Sequence, residues 1–151
     1  MSTFTKAEAA KLLELLEQER ITYGSMLQLT KEQTEHIAAD EVEAFEKSLD
    51  IRQQLIDKIN GLHQGREPLM QSYLSYLEGN NGKKIDRIEN MVAEIHGLLT
   101  ECSQINDENA AKAQEIAKGY SLRISDLNLK KKSIGSYIQN VDNSDFFDRL
   151  T

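Results

Sequence analysis

The side chains that could carry chemistry are few and scattered. Glu32 and His36 stand four apart on one helical face. A di-metal centre in a helix bundle needs Glu-x-x-His pairs on facing helices together with further inward carboxylates. No Glu in this chain has a His three positions later, so Glu32 and His36 read as a solvated i,i+4 contact. His96-Gly97 is the one place for a phosphoryl-carrying histidine, but such a group wants a cation on the same face, and the next residues are Leu98, Leu99 and Thr100. Cys102 is the lone cysteine; it excludes an internal disulfide and, at an apolar helical position, reads as a core residue in a reducing compartment. One Cys and three dispersed His make no nucleophile–base arrangement, and no segment reads as a strand ahead of a phosphate loop. The sequence therefore implies no metal, no cofactor and no catalysis.

The elements around these residues are helical. From about 5 to 38 the apolar residues Leu12, Leu13, Leu16, Tyr23, Met26, Leu27, Thr30 and Ile37 fall three and four apart, behind a capping box of Thr5 and Glu8. Asp40 and Glu43 repeat that signature and predict a second helix over roughly 40–63. It carries Val42, Phe45, Leu49, Ile56 and Ile59, with Arg52 interrupting the seam. Gly61 and Gly65 weaken the pattern, and Pro68 then suits the first turn of a short helix bearing Leu69, Met70, Tyr73, Tyr76 and Leu77. Gly79-Asn80-Asn81-Gly82 is the clearest break. From Lys83 a third long seam follows Ile85, Ile88, Val92, Ile95, Leu99 and Cys102, and less cleanly Asn109, Ala113, Ile116, Tyr120 and Leu127. If unbroken, that helix holds about 45 residues, or roughly 65–70 Å. The expected fold is thus all-α: an elongated antiparallel helical bundle of about three long helices plus one short helix, with a flexible C-terminal tail. Asn106 and Asn109 near the seam read as register-fixing polar residues.

Composition narrows the partners. The net charge is −7 and the pI about 5.0, which offers no general attraction to nucleic acid or to anionic lipid. Residues 1–64 carry 7 Lys/Arg against 12 Asp/Glu, and residues 83–132 carry 9 against 8, a weak asymmetry that suits antiparallel helix packing. The N-terminus lacks the apolar core of a signal peptide, and no apolar run reaches membrane-spanning length. A cytoplasmic protein without membrane insertion is expected.

The end of the chain differs from the rest. Lys130-Lys131-Lys132 complements a helix C-terminus. Turn-forming Ser133, Gly135, Ser136, Asn140, Asn143 and Ser144 follow. Within them Ile134, Tyr137, Ile138 and Val141 keep helical spacing, and Phe146-Phe147 sits between Asp145 and Asp148. A polar tail with apolar anchors is the composition of a segment that orders on contact. The division is a bundle domain over 1–129 and a partly amphipathic tail over 130–151.

The layout resembles the FlgN family of flagellar export chaperones. The likeness lies in Leu12-Leu13-Glu14-Leu15-Leu16-Glu17-Gln18-Glu19 with Tyr23 and Leu27, and in the run from Leu49-Asp50-Ile51-Arg52 to Ile59. It extends to Lys130-Lys131-Lys132-Ser133-Ile134-Gly135-Ser136-Tyr137 and to Ser144-Asp145-Phe146-Phe147-Asp148. The resemblance covers most of the chain. It implies a cytoplasmic chaperone, using no ATP, for hook-associated proteins, the junction proteins between flagellar hook and filament. It would cover their terminal helical segments against premature self-association and hand them to the type III export apparatus. Likeness of Tyr137 to an aromatic of the family tail implies a contact with the export gate.

The residues expected to bind the client are those the bundle leaves uncovered: Ile116, Tyr120, Ile124 and Leu127 at the end of the third helix, and Ile134, Tyr137, Ile138, Val141, Phe146 and Phe147 in the tail. Three alternatives stand beside this: residues 116–127 pack in the bundle core, the tail is simply disordered, or the tail covers the groove until a client displaces it. A monomer or weak dimer is expected. The competing function is a homodimeric coiled-coil adaptor whose seam pairs with itself.

Overall fold

A computed structural model of the chain describes residues 3–79 and 82–123. They form three long helices, α1 (Lys6–Ala38), α2 (Val42–Glu78) and α3 (Asp86–Arg123), with no strand among the described residues. The expected boundary at 129/130 lies outside them.

The start of α1 is the expected capping box. Thr5 N–H donates to Glu8 Oε1 at 3.2 Å, and Glu8 N–H donates to Thr5 Oγ1 at 3.1 Å. The α1–α2 turn departs from expectation. Asp40 does not open the second helix; it closes the first. Glu41 N–H reaches back to the His36 carbonyl at 2.9 Å and Asp40 N–H to that of Ile37 at 3.3 Å, with Asp40 in the left-handed region at φ 54°. This is a Schellman C-cap with Asp in the place usually held by Gly, and Glu41 then caps α2 by accepting the Phe45 N–H at 3.0 Å.

The expected short helix does not exist as a separate element, because α2 runs unbroken through Gly61, Gly65 and Pro68. An interior proline costs about 3 kcal/mol. It is tolerated because the turns on either side are fixed by burial: Ile59 lies in the core before it, and Arg66 and Tyr73 are buried around it. Gln64, whose carbonyl loses its partner N–H, is on the exposed side, where water can replace the bond. The third helix continues through Asn106 and Asn109 without a break to Arg123.

The chain divides into two compact units, each taking a part of all three helices. Unit 1 comprises Met1–Ser25 and Gln54–Leu98. Its core is Leu12, Leu16, Tyr23, Ile59, Tyr73, Ile88 and Ile95. Val92, expected on the seam, is 39% exposed; the burial of Ile88 and Ile95 passes it by. Phe4 packs on the Tyr73 ring at 5.3 Å and on Tyr76 at 6.1 Å, while Glu19 meets Arg66, so α1 and α2 are antiparallel here. The Tyr73 hydroxyl accepts the Ile85 N–H at 2.9 Å and donates to Glu89 Oε2 at 3.1 Å, fastening the end of α2 to the start of α3.

Unit 2 comprises Met26–Gln53 and Leu99–Thr151. Among its described residues Phe45, Leu49, Ala110 and Ala113 form a cluster, with Ile37, Ile116 and Ala117 packed against it. The pairing of Thr30 with Arg52 and of Gln33 with Ser48 runs α1 and α2 antiparallel here too.

Candidate interaction surface

The Asp40 turn brings α2 back beside α1, and α3 closes the third side. Ile37 from α1, Val42 and Phe45 from α2, and Ala113 and Ile116 from α3 line an open-sided apolar hollow. His36, Asp40 and Glu41 supply its polar lining. Phe45 and Ala113 are buried, Ile37, Val42 and Ile116 are half-buried, and Asp40 and Glu41 are exposed. Apolar atoms therefore sit in the recess and charges at its margin.

That margin is acidic. Asp40 and Glu41 carry its carboxylates and no lining residue is Lys or Arg; along the chain Glu32, Glu35, Glu43 and Glu46 lie on either side of them, between Lys31 and Lys47. His36 Nδ1 stands 3.7 Å from Glu41 Oε1 across the turn. The hollow thus favours an apolar side chain flanked by positive charge.

Below the hollow, unit 2 buries polar side chains among its apolar ones. Thr30, Gln33, Ser48, Arg52, Asn106 and Asn109 are all buried. Thr30 Oγ1 donates to the Met26 carbonyl at 2.7 Å and accepts from Arg52 Nη1 at 3.1 Å. Asn109 Nδ2 donates to the Thr30 carbonyl at 3.1 Å, and its Oδ1 accepts the Thr34 hydroxyl at 2.7 Å. Gln33 Nε2 donates to Ser48 Oγ at 3.0 Å, while Gln33 Oε1 is buried without a hydrogen-bond partner. Asn109 thereby fixes the register of α3 on α1, as its place near the seam implied. Arg52, which interrupts the sequence pattern, lies in the core itself.

Of the residues expected to meet a client, Ile116 lies in the hollow, packed against the Phe45 cluster. Tyr120 lies on the last turn of α3. Ile124, Leu127, Ile134, Tyr137, Ile138, Val141, Phe146 and Phe147 lie outside the described residues. Ile37, Val42 and Phe45 were not singled out; the signal was their position on both sides of the acidic turn, where an apolar face is interrupted by a helix end.

The candidate chemical groups stay apart. His36 is paired with Glu41, and Glu32 accepts from Gln28 Nε2 at 3.5 Å. His96 is exposed on α3. Cys102 is buried, and burial pushes its thiol up to about 12, which removes the thiolate a nucleophile needs. No group of three or more His, Cys, Asp or Glu is placed to hold a metal among the described residues. No described helix is long and apolar enough to cross a membrane.

Three long helices, with polar side chains buried in one unit and an open apolar hollow beside them, define an all-helical protein among the described residues. The family model for the FlgN protein matches residues 1–118. The chain belongs to the FlgN family, a family of flagellar export chaperones. The matched span includes every residue that lines the hollow. No curated protein and no solved structure matches the chain.

Proposed function

We propose that this protein is a cytoplasmic export chaperone that binds the terminal helical segments of hook-associated proteins, holds them apart from one another and delivers them to the flagellar export apparatus. The observation that carries the reading is family membership over 118 residues. The open hollow, with Ile116 half-buried in it, supports it as a place where apolar surface can be covered. The task needs burial and no bond chemistry: covering about 500 Å² of apolar client surface contributes roughly 12 kcal/mol before the costs of ordering and association. The client surface combines Ile116, Tyr120, Ile124 and Leu127 with Ile134, Tyr137, Ile138, Val141, Phe146 and Phe147, and Tyr137 also serves contact with the export gate.

The test is titration of a hook-associated protein's terminal segment into the full chain and into a chain lacking residues 130–151. The expected result is at least tenfold weaker binding after deletion, with helix content over 6–123 retained. Equal affinity removes the tail from the binding surface. Binding of no hook-associated protein by the full chain, together with a concentration-independent dimer, favours the adaptor reading instead.

A further inference from the structure

An apolar hollow with Asp40 and Glu41 in its lining suits a basic, apolar-bearing segment, and this chain carries one close by. From Leu127 to Val141 there is no acidic residue, while Lys130, Lys131 and Lys132 stand directly before Ile134, Tyr137 and Ile138. The opposite pattern holds along the chain at the turn, where residues 32–46 carry six carboxylates between Lys31 and Lys47, and two of the six, Asp40 and Glu41, line the hollow.

The connection is long enough. Arg123 lies seven residues beyond Ile116 on α3, about 10 Å along the axis at ~1.5 Å per residue. The eleven residues from Arg123 to Ile134 span up to about 36 Å when extended, so the chain can return past the hollow with slack. A tether this short holds its end at an effective concentration on the order of millimolar, so even a weak seat is occupied.

We propose that residues 130–141 of the same chain fold back onto this hollow, with the lysines against the acidic turn and Tyr137 entering among Val42, Phe45 and Ile116. The contact occupies part of the surface that the chaperone reading assigns to the client, and to that extent it rests on that reading. Client binding then includes release of the segment, and the apolar side chains of the tail are covered between clients.

The experiment uses the full chain without any client, so its outcome is separate from that of the export reading. Ala39, exposed in the turn, and Ser136, beside Tyr137, are both changed to cysteine, and disulfide formation under mild oxidation is timed. Cys102 stays in place, since it is buried. The comparison chain carries Gln104→Cys, an exposed α3 position, with Ser136→Cys. The expected result is an intramolecular disulfide at Ala39→Cys at least tenfold faster than at Gln104→Cys, slowed several-fold by Lys130→Glu, Lys131→Glu and Lys132→Glu together. Equal rates for the two pairs, a rate untouched by the charge reversal, or cross-linked dimers in place of the internal bond would each overturn the proposal.

Discussion

Units 1 and 2 draw on the same three helices yet bury different things. Among the described residues, unit 1 encloses Tyr23, Tyr73, Leu12, Leu16, Ile59 and Ile88 at 0–1% exposure, with Glu19, Thr22 and Arg66 as its buried polar side chains. Unit 2 encloses six polar side chains beside Met26, Leu29, Phe45, Leu49, Leu99 and Cys102, and near the hollow its α3 face narrows to Ala110 and Ala113. Large apolar side chains contribute about 1.5–3 kcal/mol each when buried, whereas a satisfied hydrogen bond contributes about 0.5–1.5 kcal/mol net and is geometrically demanding. Both units are therefore stabilised by apolar bulk, and unit 2, with twice as many buried polar side chains, depends in addition on the register that its hydrogen bonds fix. The hollow belongs to unit 2, where the small residues of α3 leave apolar surface for another side chain to cover.

The largest break in this contrast is expected at the ion pair of unit 1. Arg66 Nε lies 2.7 Å from Glu19 Oε2, and Glu19 is fully buried. The two nitrogen and oxygen atoms are close but not aligned as a hydrogen bond, and Glu19 Oε1 has no hydrogen-bond partner, so Coulomb attraction carries the contact. Removing one member leaves a buried uncompensated charge, and Arg66→Ala is expected to cost about 3–5 kcal/mol in denaturant unfolding. Replacing both, as Glu19→Leu with Arg66→Met, is expected to recover that loss and to end neutral or more stable. A small cost for the single change would mean that unit 1 does not depend on the pair.

The same carboxyl gives a pH signature. Burial raises the Glu19 pKa above its ordinary 4.5, against the lowering effect of Arg66, and Glu67 adds to the rise. A carboxyl whose folded pKa exceeds its unfolded one stabilises the fold most below the unfolded value and loses that contribution as pH rises through the folded value. Stability measured relative to Glu19→Gln should accordingly fall as pH is raised from about 4.5 upward through the shifted pKa. A difference that stays flat over that range would show that the pair offsets the burial completely.

In unit 2 the effects are smaller and of both signs. Asn109→Ala strips the Thr30 carbonyl and the Thr34 hydroxyl of a partner and is expected to cost about 1–3 kcal/mol. Gln33→Leu with Ser48→Ala removes a pair that already leaves Gln33 Oε1 unsatisfied; it is expected to be neutral or stabilising by up to about 1 kcal/mol. Hydrogen exchange at α3 amides near Asn109, and at α1 and α2 amides near Gln33 and Ser48, reads each change locally. Equal losses from the two substitutions would erase the distinction between a bond that fixes register and one that merely fills space.

How far the sequence foretold this depends on how local each feature is. The Thr5–Glu8 cap, the Leu12–Leu16–Tyr23 face and the break after Gly79 are written within a few residues and were legible. Gly82 belongs with them, since a Cβ there would run into the Tyr76 carbonyl. The passage of α2 through Pro68 was not, because what holds it is burial of Arg66 against Glu19, 47 positions away in the chain. The Glu19–Arg66 pair itself was invisible for the same reason, as charged residues on amphipathic helices ordinarily face water. The hollow draws Ile37, Val42 and Ile116 from three helices, and periodicity within one helix cannot report a gap among three. Asp40 was misread in a different way: Asp serves equally at a helix start and in a left-handed helix end, and only the hydrogen bonds from Glu41 and Asp40 back to α1 distinguish the two.

That position supplies the mildest test, and it separates the turn's backbone from its charge. Asp40 holds φ 54° without the freedom of glycine, a conformation that costs an ordinary L-residue about 1–2 kcal/mol and Asp somewhat less. Asp40→Gly removes that strain but adds freedom to the unfolded chain, worth about 0.5–1 kcal/mol in the other direction, so a net change within about 0.5 kcal/mol is expected, on the stabilising side. Asp40→Ala keeps the strain, loses the side chain's local polar support and is expected to destabilise by about 1 kcal/mol. Asp40→Asn preserves the left-handed preference and removes only the negative charge. Thermal unfolding should therefore rank the variants Gly, Asn, Ala from most to least stable. If Asn instead falls with Ala, the carboxylate of Asp40 supports the turn directly, and its charge is then a part of unit 2's structure before it is a part of the hollow's acidic margin.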